Sequence, residues 1–158
     1  MKEILAEQYE FVKGSRVELL QYCASISAPH FVQPIQHFGH SSIRNVLVHV
    51  ANASIYWLGE FALHKSVVYG KPDSVQTMEE VANLFQQVDL FMAEFLTAFP
   101  EHSQPMNGWV KWFKKDLNTT PLQLYTHVVT HFFHHKGQIL TMSRHLGYTP
   151  VDTDVIRF

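Results

Sequence analysis

The sequence predicts an all-α protein, a four-helix bundle with long connecting loops. Four segments of about 20 to 27 residues repeat apolar side chains at spacings of three and four. Segments rich in proline and glycine separate them, and polar residues suited to cap a helix stand before three of them. With 158 residues, of which 46% are hydrophobic, the chain is expected to fold as a single domain over residues 1–158.

The composition narrows the class of protein. A protein that binds nucleic acid usually has a basic face. A net charge of −2 gives no electrostatic argument for such a face, so we expect no nucleic-acid partner. The single cysteine, Cys23, excludes an internal disulfide and fits a reducing cytoplasm. Cys23 lies on the apolar face of a predicted helix, which favours a role as a small core residue over one as a nucleophile. The first residues lack the apolar centre of a signal peptide, and no apolar run approaches ~18 residues. The sequence therefore predicts a cytoplasmic protein without a membrane partner.

The first two helices are predicted over residues 2–26 and from residue 41 or 42 to about residue 65. Ser41 or Ser42 can cap the second. The connection between them, residues 27–40, is broken by prolines and a glycine. We expect its three histidines to lie at the surface; they are His30, His37 and His40.

The third helix begins with a capping box formed by Thr77 and Glu80, and ends near residue 99. It carries no histidine and is interpreted as scaffold. A long connection over residues 101–120 follows, with a short strand or helical turn near residues 108–113. Its two tryptophans, Trp109 and Trp112, either pack on the helices or cover a pocket, because large aromatic side chains are costly to expose.

The fourth helix is predicted to begin at Thr120 and Pro121, a cap residue followed by proline at the first helical position. It should end at residue 145 or 146, with Gly147 as the stop. The tail from residue 148 is expected to extend over the surface.

Four of the eleven histidines fall within nine residues of the fourth helix. At about 100° per residue, His127, His131 and His135 form one stripe. The i, i+4 spacing of His131 and His135 allows both imidazoles to reach one metal ion. His134 points about 60° away and is left out, and His127 is interpreted as a supporting residue that competes for the third ligand position.

His49 supplies a third nitrogen donor, because it lies on the inward stripe of the second helix. A single histidine on such a stripe is more often a hydrogen-bonded core residue, but here a second histidine stripe can meet it. Ala53, one turn later, would leave room beside the ring. Asn52 lies about 60° off the same line and could orient a ligand by a hydrogen bond.

Three protein ligands leave coordination positions open, which is typical of a catalytic metal site. Imidazoles suit several divalent ions, so zinc, nickel and iron are not distinguished. The segments 127–131 and 131–135 both lack the glutamate of the His-Glu-x-x-His protease motif. The inward glutamates of di-iron bundles are missing as well.

The histidine helix resembles the C-terminal signature of the DinB family. His131, the run His135-Lys136-Gly137-Gln138-Ile139 and the closing Leu146-Gly147 match it well. The segment Val46-Leu47-Val48-His49-Val50-Ala51-Asn52-Ala53 is similar to the context of the family's other ligand. The resemblance spans essentially the whole chain.

This resemblance implies a down-up-up-down four-helix bundle, a divalent metal on His49, His131 and His135, and commonly a homodimer. Characterised relatives include transferases and isomerases that use small thiols such as bacillithiol or mycothiol. The expected function is therefore a metal-dependent thiol S-transferase or hydrolase acting on a small molecule. Its reacting group would be water or thiolate on the ion, with a low-molecular-weight thiol as cosubstrate.

Two alternatives remain open. In one, the protein is a non-catalytic metal-binding or bacterial stress-response protein whose ion stabilises the bundle. In the other, it is a plain helical dimer with histidines as polar core residues. The back of the histidine stripe, Val129, Phe133 and Leu140, would form the dimer surface or be covered by Trp112 and its loop.

Overall fold

The protein is mostly helical, as predicted, and the computed structural model describes residues 2–157. The described residues form α1 Lys2–Ala24, α2 Ala28–Val32, α3 Ile43–Ser54, α4 Met78–Ala98, α5 Pro121–His145, and the antiparallel strands β1 Met106–Val110 and β2 Lys115–Thr119. Short 3-10 turns lie at Gln36–Phe38 and Pro72–Ser74. Across residues 2–157, no helix combines the length and apolar content that a transmembrane span requires.

The helices α3, α4 and α5 each begin directly after a predicted capping residue. The hydroxyl oxygens of Ser42, Thr77 and Thr120 each accept a hydrogen bond from the backbone amide three residues later, at 3.2 Å. Glu80 completes the capping box by accepting from the Thr77 amide at 2.9 Å. Gly147, with a φ of 88°, follows α5 in the left-handed conformation that the predicted stop requires.

The second predicted helix changes character halfway. After α3 the chain continues as a π-helix over Ile55–Ala62, where the amide of Leu63 donates to the carbonyl of Leu58 at 3.1 Å. A π-helical turn holds more residues than an α-helical turn. The row of inward-facing side chains predicted with α-helical spacing therefore does not continue unchanged beyond residue 54.

The core lies between the four long helices. Helix α3 with its π-helical extension packs against α4 and α5, and α1 packs against the same two helices. Cys23 is only 1% exposed, in agreement with its predicted core role, and burial raises the pKa of its thiol to about 12. The largest fully buried side chains come from all four long helices and include Leu19, Leu47, Ile55, Leu58, Met92, Phe95, Tyr125, Ile139 and Met142.

The two long connections contain more regular structure than predicted. Residues 27–40 form α2 and a 3-10 turn; His37 and His40 are exposed there, whereas the half-buried His30 bonds to the Tyr148 hydroxyl at 2.9 Å. Residues 106–119 form a complete β-hairpin. The strand alternative near residue 108 is thus confirmed, with a second strand that the sequence did not indicate.

The C-terminal tail is tied into the fold, so the prediction that it lies over the surface is wrong at Thr153. Thr153 is buried, and its carbonyl accepts from the Ser15 hydroxyl at 2.5 Å and from the Lys136 ammonium at 2.9 Å. Lys136 also pairs with Asp154 at 3.0 Å. A buried cation on α5 needs these partners, because an unpaired charge is costly to desolvate.

Two of the residues considered for a dimer surface are half-buried, and the third is buried. Val129 lies beside Val12 of α1 and Val88 of α4, so it neither faces solvent nor lies beneath the hairpin. Phe133 and Leu140 are half-buried against the core. Core packing within one chain therefore accounts for Val129.

A partly buried ion pair joins α1 to α4. The Arg16 guanidinium is 2.5 Å from the Asp89 carboxylate and donates to the Tyr9 hydroxyl at 3.2 Å. Tyr9 in turn donates to Asp89 at 2.7 Å. Arg16 is almost completely buried, so its charge depends on this carboxylate for compensation.

Replacing Asp89 should therefore destabilise the protein strongly. We expect Asp89→Ala to lower the free energy of unfolding by about 2 kcal/mol or more, because it leaves a buried guanidinium without its counterion. Urea denaturation followed by circular dichroism measures the change. Glu94→Ala is the matched control, because Glu94 lies on the same helix and pairs with Lys65 in solvent, where a pair contributes about 1 kcal/mol or less. Equal losses in the two variants would contradict this account of Arg16.

Candidate functional site

The three histidines predicted as metal ligands lie side by side, although they come from two helices. His49 projects from α3, and His131 and His135 project from α5, one helical turn apart. The His49 ring centroid is 5.1 Å from that of His131 and 4.8 Å from that of His135, and the other two are 4.4 Å apart. One ring nitrogen from each lies within 4.8 Å of the others.

The cluster lies at the edge of the core. His131 and His135 are half-buried, but His49 is exposed, so the prediction that its ring faces inward is wrong. Its sequence neighbours Val48 and Val50 occupy the core instead. Helical spacing identified the correct side of α3, but His49 lies at the border of the apolar stripe.

The histidine environment favours neutral rings. Partial burial lowers the pKa of His49 and His135, and it lowers that of His131 to about 3, with the neighbouring His135 and His49 rings adding to the effect. Each imidazole is therefore neutral near pH 7 and keeps one nitrogen lone pair. A lone pair is what a metal ligand must provide.

Gln138 fixes the orientation of His135. The Nδ1 atom of His135 lies 2.7 Å from the Gln138 amide oxygen, which can only accept, so Nδ1 carries the proton. The lone pair is then on Nε2, which faces Nε2 of His131 at 3.2 Å. This role was not predicted from the sequence, although Gln138 follows His135 by three residues on a helix, a spacing at which side chains meet.

The donor set fits a divalent ion. Nitrogen ligands at 2.0 to 2.1 Å from a tetrahedral ion lie about 3.4 Å from each other, close to the 3.2 Å between the Nε2 atoms of His131 and His135. The candidate nitrogen of His49 lies within 4.8 Å of the other two, so its exposed ring would have to move toward them to share an ion. Three neutral imidazoles suit zinc, nickel or iron, so these residues could hold such an ion.

The supporting residues considered from the sequence lie in different places. His127 is exposed, with its ring centroid 5.6 Å from that of His131 and 5.3 Å from the Trp57 ring, at the side of the cluster. Asn52 orients no histidine: its side-chain amide donates to the carbonyl of Gly70 and accepts from its amide, both at 2.8 Å. Its role is to fasten the loop after the π-helix to α3.

A cavity of about 560 Å³ opens beside the histidines. Trp112 and Phe113 at the hairpin turn form one wall, and the Trp112 ring lies 4.0 Å from that of Tyr56. Trp109 is 59% exposed and is not part of the lining. The two tryptophans thus differ, and Trp112 covers the pocket. The lining consists of His49, Asn52, Ala53, Tyr56, Trp57, Tyr69, Lys111, Trp112, Phe113, His127 and His131.

A glycine lets the hairpin lie close to the π-helix. A Cβ atom at Gly108 would come within 2.7 Å of the Phe61 ring, so a larger residue would force either that ring or β1 to shift. This contact holds the turn that carries Trp112 and Phe113 over the cavity.

A charged group at the cavity was not anticipated from the sequence. The Lys111 ammonium lies 3.3 Å from the Glu60 carboxylate, which also accepts a hydrogen bond from the Tyr69 hydroxyl. Burial raises the pKa of Tyr69, and the bond to Glu60 raises it further, so the phenol remains protonated. Lys111 is 51 residues from Glu60 in the sequence, so helical spacing does not reveal this contact.

A second cavity of about 370 Å³ adjoins the first. The two share Trp57, Phe113 and His127 as a common wall. Strand β2 and the start of α5 form the remaining wall of the second cavity through residues such as Leu117 and Leu124.

Two comparisons with known proteins identify similar sequences. The sequence model of the DinB family matches residues 1–158. The chain is also similar to Protein DinB of Bacillus subtilis (strain 168), with 24% identity over 160 residues, which covers 98% of this chain and 92% of that relative.

Removing the acceptor at Gln138 should change the protonation pattern of His135. In the metal-free protein we expect Nδ1 of His135 to carry the proton, and Gln138→Leu to produce a mixture of the two neutral tautomers. Long-range ¹H–¹⁵N spectra of the imidazoles distinguish these forms. Gln138→Glu, which keeps an acceptor, should restore the single tautomer, and Gln123→Leu on the same helix should leave it unchanged. An unaltered His135 in Gln138→Leu would show that Gln138 does not orient the ring.

Proposed function

The chain belongs to the DinB family, and we propose that it is a divalent-metal-binding protein that acts as a metal-dependent thiol S-transferase or hydrolase on a small molecule. His49, His131 and His135 would hold the ion. The observation that carries the proposal is a cluster of three neutral imidazoles, two of which, His49 and His131, line a cavity large enough for a small substrate.

The donor set supports a catalytic rather than a structural ion. Three protein ligands leave room for a further ligand, whereas structural zinc sites are filled by four protein side chains. The exposure of His49 and the adjoining cavity provide access to that position. When bound, a zinc, nickel or iron ion would act as a Lewis acid and favour the deprotonated form of a thiol or of water.

The protein's own residues have distinct parts in this proposal. Gln138 holds the proton of His135 on Nδ1 and directs the other nitrogen toward the cluster. Trp57, Trp112 and Phe113 form apolar walls that restrict water beside the histidines. The second cavity offers space for a second reactant, which a transfer reaction needs.

The proposal includes an architecture and an assembly. We infer a single domain built as a down-up-up-down four-helix bundle of α1, α3, α4 and α5, supported by the packing of these helices around a shared core. A homodimer with a small-molecule substrate is part of the same proposal. Half-buried Phe133 and Leu140 remain candidates for its interface.

Metal binding should depend on the three histidines individually. We expect one zinc or nickel ion per chain in untagged protein. The metal affinity should fall at least about a hundredfold in each of His49→Ala, His131→Ala and His135→Ala. Loss of a residue that only supports a ligand typically lowers metal affinity about ten- to a hundredfold, so loss of a ligand should cost at least as much. Calorimetric titration against a competing chelator measures it. His134→Ala is the matched control, an exposed histidine of the same helix. Protein that takes up no stoichiometric metal would refute the proposal.

Turnover assays separate the proposed enzyme from a non-catalytic metal protein. We expect metal-loaded protein either to conjugate a small thiol to an electrophile or to hydrolyse an ester or amide, and His131→Ala to lose that activity. Thermal unfolding of the wild type and of His131→Ala, each with and without metal, shows whether the ion stabilises the fold. If metal raises the unfolding temperature but no assay shows metal-dependent turnover, the ion has the structural role of the alternative function.

A further inference from the structure

Lys111 occupies an unusual position at the hairpin turn. Its ammonium lies 5.4 Å from the Trp112 ring, 5.7 Å from that of Tyr69 and 5.9 Å from that of Tyr56. These distances allow favourable cation–π contact with three rings. All four side chains line the cavity that His49 and His131 border. The structure therefore places a partly exposed cation, whose side chain is 56% accessible to solvent, beside aromatic walls at the edge of the space available to a ligand.

This ammonium has little competition as a charged group in the lining. Among the lining residues, the others are apolar, aromatic, histidine or Asn52, whose amide is occupied by Gly70. Glu60 balances the charge from 3.3 Å but does not line the cavity. A ligand in the cavity would meet Lys111 as its charged contact and imidazoles elsewhere along the wall.

We propose that Lys111 forms an anion-binding subsite, so that the cavity selects small molecules with an apolar body and an acidic group that Lys111 binds. The inference rests on the proposed function, because it assigns the reacting atom of the same molecule to the histidine cluster. Apolar walls lower the local dielectric, which strengthens the attraction between Lys111 and a carboxylate, sulfonate or phosphate. Tyr56, Trp57 and Trp112 provide the faces on which an apolar body packs.

Glu60 would set the strength of this subsite. It is the present partner of Lys111 and the acceptor for Tyr69, so an incoming anion must compete with it. Removing the carboxylate charge should release Lys111 for the ligand, whereas removing the lysine should abolish the preference for an anion. The two substitutions are therefore expected to act in opposite directions.

The experiment compares two thiols that differ in one acidic group. 4-(Mercaptomethyl)benzoate and phenylmethanethiol are titrated into zinc-loaded protein and into metal-free protein, and tryptophan fluorescence or calorimetry provides both dissociation constants. We expect the wild type to bind the carboxylate about fivefold more tightly than the neutral thiol, the size of one partly exposed ion pair. Lys111→Gln should reduce this ratio to about one, and Glu60→Gln should raise it about twofold or more.

Lys114→Gln is the matched control. Lys114 is an exposed lysine of the same hairpin that lines neither cavity, so its removal should preserve the ratio. Equal affinities of the wild type for the two thiols would overturn the subsite. A ratio that survives in Lys111→Gln, or disappears in Lys114→Gln, would overturn it as well.

Failure of the subsite and failure of the proposed function give different results. Zinc-dependent binding of phenylmethanethiol that is lost in His131→Ala supports the function, whatever the carboxylate does. A carboxylate preference that depends on Lys111 in metal-free protein supports the subsite, even if zinc has no effect on thiol binding. Zinc titration of Lys111→Gln and Glu60→Gln should match the wild type, which confirms that the variants retain the histidine cluster.

Discussion

The packing of α3 against α5 is the interaction on which the candidate site depends. One helix can place two histidines a turn apart, but a third donor must come from a neighbour held at a fixed distance and rotation. Leu47, Val48 and Val50 are buried on either side of His49 along α3 and fix that rotation. Apolar burial in the core thus determines where an exposed imidazole points, although the ring itself contributes little to that burial.

The cavity depends on two close backbone approaches outside the helices. The hairpin reaches the π-helix because Gly108 leaves space for Phe61, and the loop after the π-helix reaches α3 because Asn52 bonds both backbone groups of Gly70. A Cβ atom at Gly70 would come within 2.7 Å of Leu84. Specific contacts therefore hold the two connecting segments that contribute to the walls of the cavity.

Local signals in the sequence were sufficient for much of the fold and for part of the site. Caps at Ser42, Thr77 and Thr120 and the i, i+4 pair on α5 depend on neighbouring residues, so a single sequence reveals them. The resemblance to the DinB family supported the choice of His49 as the third metal ligand. The hairpin, the contact of Lys111 with Glu60 and the exposure of His49 depend on tertiary packing. Helical periodicity identifies a face, but it does not show which residue lies at the border of that face.

The distribution of charge explains why the histidines can remain neutral and accessible together. Arg16 and Lys136 are buried cations that lie outside the histidine cluster, and they are paired with Asp89 and with the C-terminal tail. At the cluster, partial burial lowers the pKa of the imidazoles without closing the cavity. A deeper position would keep them neutral but exclude a ligand, and full exposure would allow protonation near pH 6.5. The border between core and cavity satisfies both requirements.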